Sequence, residues 1–325
     1  MDGIVLLAKQ PGPTSFSSLH DVKRAFNTRK VGHTGTLDSF AQGLLVVCTG
    51  RLTRLAGYIT QFNKTYKAVI KFGEETDTLE PEGNIIKKAP LPKKDLVINA
   101  INSFLGEQEQ YPPSFSAIHV DGKRASDLVR NGEKVEIPPR KITVFKSEII
   151  DFDCTPENFV KSVLVEFEVS KGTYIRSLAR DIGKKANSAA YLLGLYRTQI
   201  GSFKVEDSAG YDFLKPFTIQ NVYSQEKINF KQFKLDEALQ DEIRNKLKFV
   251  DKDFSKNCGF INLDLVDNSA CDDFKNGRPI RNKSYIQNLY EIPAEKKCAV
   301  FFDNIFAGLL DKDSTGKLRY DFVIN

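Results

Sequence analysis

An α+β fold with a separate β-rich C-terminal unit is predicted from three features of the sequence. Apolar residues alternate with period two in two strand-like runs, YKAVIKFG and SVLVEFEV. Helical stripes of period near 3.6 occur between Ser15 and Ala25 and again from Ile175 to Ile182. Strands and helices follow one another without the regular alternation of a doubly wound parallel sheet. After a charged, helix-prone stretch the chain becomes β-like again. At 325 residues it is long enough for one large domain or two.

In chain order, Gly3 to Ala8 (GIVLLA) reads as a short buried strand, followed by the turn-rich KQPGPTS. Phe16, Leu19, Val22 and Phe26 then stand at near-helical spacing, with Ser15 as N-cap. GLLVVCTG is a continuous apolar strand bounded by glycines. In YKAVIKFG, Tyr66, Ala68, Ile70 and Phe72 share one face and Lys67 and Lys71 the other. An acidic, proline-rich loop leads to a helix expected from Asp95 to Phe104, and a second short helix is expected at Ala125 to Asn131. Val163, Val165, Phe167 and Val169 alternate along a strand, Lys171-Gly172 turn the chain, and Ile175, Leu178, Ala179 and Ile182 form a helical stripe. The charged segment from Glu226 to Phe249 reads as a connection. Beyond it, FKNGRPI is expected to make a hairpin turn, and AVFFDNIFAGLLDKD two strands about an Asp-Asn pair. The division is placed at 1–245 and 246–325.

Composition narrows the function classes. The chain is 41% hydrophobic with 24 Phe and 27% charged residues, which supports real cores and a solvated surface. No run approaches the roughly 18 apolar residues of a membrane helix, and MDGIVLLAKQPG lacks the pattern of a secretory signal. A cytoplasmic protein is expected. Five scattered cysteines, without a CxxC pair, form neither a disulfide framework nor a zinc knuckle, and the three histidines lie far apart. No metal site is expected. The net charge of +5 is a mild bias, but four of its cations crowd between His20 and Thr36 beside a single Asp. A solvated helix face and an RNA partner explain that run equally well.

Directly after it comes KVGHTGTLDSFAQG, a stretch of small and polar residues around one carboxylate, Asp38. Such residues suit a tight loop, in which an isolated Asp most often caps a turn or a helix. The stretch has neither the GxxxxGK[ST] order of a phosphate loop nor GxGxxG, and the sequence lacks a GxSxG elbow and a zinc-deaminase signature. A carboxylate then remains the best candidate nucleophile, provided that something keeps it ionised and positioned. Arg176 and Arg180, one helical turn apart, could each pair with a loop carboxylate, although arginines on helices more often face solvent.

Six segments in order, GIVLLAKQPGPTS, KVGHTGTLDSFAQGLLVV, KTYKAVIKFGEETDT, YPPSFSAIHVDGKRA, SKGTYIRSLARDIG and LLGLYRTQIGSF, resemble the successive motifs of the TruB family of tRNA pseudouridine(55) synthases. The later FKNGRPI and FFDNIFAGLL are similar to the small PUA-like RNA-binding domain that ends many bacterial members. The resemblance implies a pseudouridine synthase catalytic domain with a mixed, mainly antiparallel sheet. It also implies isomerisation of a flipped uridine in the tRNA T loop, without a cofactor. It assigns Asp38 as the catalytic aspartate, Tyr66 as the aromatic that stacks on the uracil, and Arg176 as the partner of the aspartate. His33 would assist displacement of the target base, Leu195 would line the pocket, and Lys9 would support it. Ser39 and Gln10 stand where proline is common, Glu80 where a second aspartate is usual, and His119 and Ser126 where lysine and tyrosine are familiar. A noncatalytic tRNA-binding protein on the same scaffold is the alternative from another class. An enzyme guided by a separate RNA is a further rival, and a monomer without a guide RNA is expected.

Overall fold

The computed structural model describes residues 1–324 except 117, 121, 134, 136 and 226–236. Among the described residues the larger unit is a nine-stranded sheet. Its strands are β1 (Gly3–Lys9), β2 (Val31–His33), β3 (Gln42–Thr49), β4 (Lys64–Phe72), β5 (Gly106–Gln110), β6 (Arg140–Cys154), β7 (Val160–Val169), β8 (Ala190–Ile200) and β9 (Phe203–Lys204). The main path runs β1-β3-β8-β4-β7-β6-β5, with β2 on β3 and β9 on β8. Every pairing is antiparallel except that of β3 with β8. The expected mixed, mainly antiparallel sheet is therefore present.

The patterns explain where each strand sits. All residues of β1 and β3 are buried, as their unbroken apolar runs require, because both faces are covered. Val5, Leu7, Leu45 and Val47 meet Leu19, Val22 and Ala25 of helix α1 (Ser15–Ala25). Ile4, Leu6, Leu44 and Val46 enter a second cluster on the opposite face. On β4, Tyr66, Ala68 and Ile70 join the cluster formed with helices α2 (Lys94–Asn102) and α3 (Ile175–Lys185). Buried Ile175, Leu178, Ala179 and Ile182 are the predicted stripe of α3, each larger apolar side chain contributing about 1.5–3 kcal/mol by burial. Helix α4 (Ile219–Gln225) covers Val69, Leu164 and Leu193 on the other side.

Two local expectations need correction. Thr14, not Ser15, is the N-cap of α1: its Oγ1 accepts from Ser17 N at 3.1 Å, and Ser15 is already helical. The Asn-Gly of FKNGRPI does not make a hairpin. It ends a helix, because the same dipeptide is also a helix stop. Asn276 Nδ2 donates to Asp272 O, and Gly277, at φ 66°, donates its N–H to Phe274 O. The charged connection falls partly outside the described residues. Its described end forms helix α5 (Glu237–Asn245), packed on α1 through Ile243, with Arg244 Nε donating to Ala25 O at 2.9 Å.

Near the C-terminus, helix α6 (Asn268–Lys275) lies with a four-stranded sheet of β10 (Ile261–Asp264), β11 (Lys296–Phe302), β12 (Ile305–Lys312) and β13 (Leu318–Val323). The Asp-Asn pair does turn the chain between β11 and β12. Asp303 (φ 47°) and Asn304 (φ 63°) give the two left-handed residues of a two-residue hairpin. Phe301, Phe306 and Phe322 of this sheet pack with Ile4, Leu44 and Val46 of the large one. Tyr58 meets Phe260 edge-on at 4.7 Å, and Arg51 Nη1 donates to Val323 O at 3.0 Å.

Candidate active site

Residues 34–41 form a loop between β2 and β3 with little to bury, so its shape depends on where its backbone groups are held. Most of its carbonyls find a partner. Thr60 Oγ1 donates to Thr34 O at 2.9 Å. The guanidinium of Arg197, 1% exposed, reaches Gly35 O and Thr36 O at 3.2 Å each and Leu44 O at 2.8 Å. Ser15 Oγ bridges both backbone groups of Leu37, donating to its O and accepting from its N at 2.8 Å. Ala41 N donates to Asp38 O, and Gly12 N to Ser39 O. Lys9 Nζ donates to Gln10 O, Ser39 O and Ala41 O at 3.0, 3.1 and 2.7 Å. Buried cations thus turn the loop carbonyls inward and leave the Asp38 carboxylate as the loop's outward acidic group.

That carboxylate meets Arg176, in the first turn of α3. Nη2 donates to Oδ1 at 3.3 Å, and Nε stands 3.2 Å from Oδ2 as an ion-pair contact outside hydrogen-bond geometry. Nη1 contacts Glu80 Oε1 at 2.5 Å and donates to Thr78 O and Phe115 O at 3.2 Å each. The Arg176 side chain is 6% exposed, against 26% for Asp38 and 20% for Glu80. One buried guanidinium is shared between two carboxylates. Burial pushes the Glu80 carboxyl up to about 7 against the pull of Arg176, with the Asp38 and Glu82 charges adding to the rise.

Tyr66 and Leu195 supply an apolar wall beside this pair. Tyr66 is 8% exposed and stands opposite Phe167 on β7 and Arg197 on β8; Leu195, 5% exposed, stands opposite Ala68. Both belong to one cluster with Leu37 and Ala41, the apolar residues on either side of Asp38. A β-bulge between Arg197 and Gln199 locally shifts the β8 register. Gly43, at φ 119°, allows β3 to approach there: a Cβ would lie 2.3 Å from Arg197 O. His33 ends β2, half-buried, and its Nδ1 accepts from Gly35 N at 3.4 Å. Burial and the Arg197 charge hold its imidazole below the usual pKa, which leaves it neutral at pH 7. For Lys9, burial brings the ammonium down to about 7; the Asp38 charge opposes this fall and Arg197 adds to it.

The structure therefore brings Asp38, Arg176, Lys9, Tyr66 and Leu195 about one loop, with His33 at its start. Lys9 serves the loop backbone. Ser15, Glu80 and Arg197 join the site without a sequence signal that marks them as site residues. Glu80 stood out only as a departure within TDTLEPEG, and Arg197 lay within the quoted LLGLYRTQIGSF. Nothing in the sequence reveals that Ser15 meets Leu37 across 22 residues.

Residues 23–175 match the family described as TruB family pseudouridylate synthase (N terminal domain). The tRNA pseudouridine synthase B of Treponema denticola is 41% identical, with 94% of each chain covered. That of Borreliella burgdorferi is 38% identical over 77% of this chain and 98% of its own. Among solved structures, an H/ACA RNP bound to a substrate RNA containing 2'-deoxyuridine aligns with a TM-score of 0.63 and 19% identity, covering 99% of this chain and 85% of that one. The archaeal box H/ACA sRNP Nop10-Cbf5 complex aligns with a TM-score of 0.62 and 20% identity, over the same shares. These two likenesses concern the fold. With the match to the two bacterial sequences spanning nearly all of both chains in the first case, the chain belongs to the TruB family of pseudouridylate synthases.

Proposed function

We propose that this protein isomerises uridine to pseudouridine at position 55 in the T loop of tRNA, with Asp38 as the nucleophile. The observation that carries this reading is the placement of Asp38: held by its loop, paired with buried Arg176 and flanked by the apolar wall of Tyr66 and Leu195. The relatives named as tRNA pseudouridine synthase B supply the substrate class. The reaction breaks the bond from uracil N1 to the ribose, turns the ring and joins it through C5. The C5 proton is lost and N1 gains one, so atoms and electrons balance without a redox partner.

The residues have separate tasks. The target base must leave its stack, at a cost of a few kcal/mol. Stacking on Tyr66 offsets about 1–3 kcal/mol of that, and neutral His33 stands at the loop's start to fill the space the base leaves. Arg176 keeps Asp38 oriented and charged as RNA excludes water, since desolvation alone favours the protonated, non-nucleophilic acid. Lys9 and Arg197 act through the loop backbone. The binding-only alternative has no observation of its own in its favour.

Three further parts belong to this reading. The catalytic unit spans 1–245, and 246–325 is a PUA-like module that holds the RNA. The protein works as a cytoplasmic monomer; among the described residues no helix is long and apolar enough to cross a membrane. No guide RNA is needed, in keeping with the names of the bacterial relatives. The test is incubation of purified protein with an unmodified T-arm stem-loop, followed by mapping of pseudouridine. Conversion at the T-loop uridine alone supports the reading; an unchanged stem-loop at saturating protein refutes it.

A further inference from the structure

Arg176 is aimed by a segment that no catalytic assignment covers. Gln110, the last residue of β5, is 3% exposed. It spends both ends of its amide on one distant residue: Nε2 donates to Tyr174 O at 3.1 Å, and Oε1 accepts from Tyr174 N at 2.8 Å. Because an N–H must face Oε1 and a carbonyl must face Nε2, this pairing itself fixes which way the amide points. Tyr174 is the cap of α3, and no side chain of its own caps the helix. The bracing continues along the same segment. Tyr111 O accepts from Ser177 Oγ at 2.8 Å and Arg180 Nη2 at 3.1 Å, and Phe115 O accepts from Arg176 Nη1. Pro112 and Pro113 between them stiffen the chain by fixing φ. A matching device holds the other partner of the ion pair, where Ser15 bridges both backbone groups of Leu37, next to Asp38.

We infer that Gln110 is a positioning residue of the isomerisation, acting through Arg176. It sets the start of α3 so that the guanidinium meets Asp38 edge-on. The inference rests on the proposed reaction. Held by β5 from one side and by Ser15 from the other, the two charged groups keep their geometry before RNA arrives, and small displacements at such a site carry large rate costs.

The test uses the full chain, with Gln110→Met as the same-length side chain lacking both hydrogen bonds and Gln110→Glu as the conservative variant. Single-turnover rate and RNA dissociation constant are measured at saturating protein. Gln110→Met should slow the rate by about tenfold or more, the cost of misplacing a reacting group, while leaving RNA affinity within about threefold. In an Arg176→Lys background the same change should cost less than about twofold, because residues acting as a unit are not additive. Gln110→Glu carries its own signature. A protonated Glu reproduces the donor and acceptor of Gln, so its rate relative to wild type should rise as pH falls from about 8.5 to 6. An equal loss in both backgrounds would overturn the inference. So would a loss of RNA affinity parallel to the loss of rate, or a loss explained wholly by the unfolded fraction in a thermal melt. If wild type forms no pseudouridine, the proposed function fails; if wild type is active and Gln110→Met matches it, only the positioning role fails.

Discussion

Replacing Arg176 by Lys keeps the charge and changes the geometry, which makes it the most direct probe of the pair. The guanidinium makes contacts at 3.2 and 3.3 Å with the two oxygens of Asp38, at 2.5 Å with Glu80, and at 3.2 Å with Thr78 O and Phe115 O. These are spread over three nitrogens. A lysine has one nitrogen with three donors, so it cannot reach all of these acceptors from the same helical position. Glu80 and the two carbonyls already suffice to saturate it. The contacts to Asp38 are then the ones lost, the Nη2 hydrogen bond and the Nε ion-pair contact, and one hydrogen bond to a charged group contributes about 1.5–3 kcal/mol. A loss of about 1.5 to 3 kcal/mol in orienting the nucleophile corresponds to roughly ten- to 150-fold in rate, at 1.36 kcal/mol per decade. RNA binding should change by less than about tenfold, because the guanidinium is almost wholly covered and its partners are Asp38, Glu80, Thr78 O and Phe115 O. The assay is single-turnover pseudouridine formation with protein in excess, alongside a filter-binding titration. A rate within about threefold of wild type would refute the view that the placement of the guanidinium, and not charge alone, serves Asp38.

Asp38→Asn keeps the shape of the loop residue but lacks the nucleophile; turnover should vanish while T-arm affinity, measured by titration, stays within about tenfold. Lys9 provides a pH test. Its folded pKa of about 7 lies below the ordinary 10.5, so the unfolded chain binds more protons between those values and wild-type stability should rise with pH across that window. The difference in melting temperature between wild type and Lys9→Met should therefore move in favour of wild type from pH 7 to 10, and a flat difference would contradict this. Asn304→Val places a β-branched residue at φ 63°; a loss of about 1–2 kcal/mol in denaturant unfolding is expected, with pseudouridine formation by the folded fraction unchanged.

The legible parts of the fold were those in which one residue pattern has one structural use. Unbroken apolar GLLVVCTG became a strand buried on both faces, and the alternation in β4 put Tyr66 inward. The Asp-Asn hairpin was legible because two left-handed residues suit that turn. Asn276-Gly277 was misread because the same dipeptide ends helices, and only the preceding buried Ala270, Cys271 and Phe274 decide between the two. At the site, the Asp38–Arg176 pair followed from motif resemblance, whereas its supports did not. Ser15 to Leu37, Arg197 to Gly35 and Gln110 to Tyr174 join residues 22, 162 and 64 positions apart. A side chain bonding a distant backbone group leaves no periodic trace, since any residue can present that backbone. Glu80 shows the converse: it stood out as a departure, yet its longer side chain still reaches Arg176.

The central claim is that a held Asp38 carries out the isomerisation. The direct measurement is position-resolved mapping of pseudouridine in a full unmodified tRNA transcript, after a single turnover with wild type and with Asp38→Asn at equal, saturating occupancy. Wild type should convert uridine 55, and Asp38→Asn should leave a fully bound transcript unmodified. Pseudouridine formed by Asp38→Asn at a rate near that of wild type would contradict it.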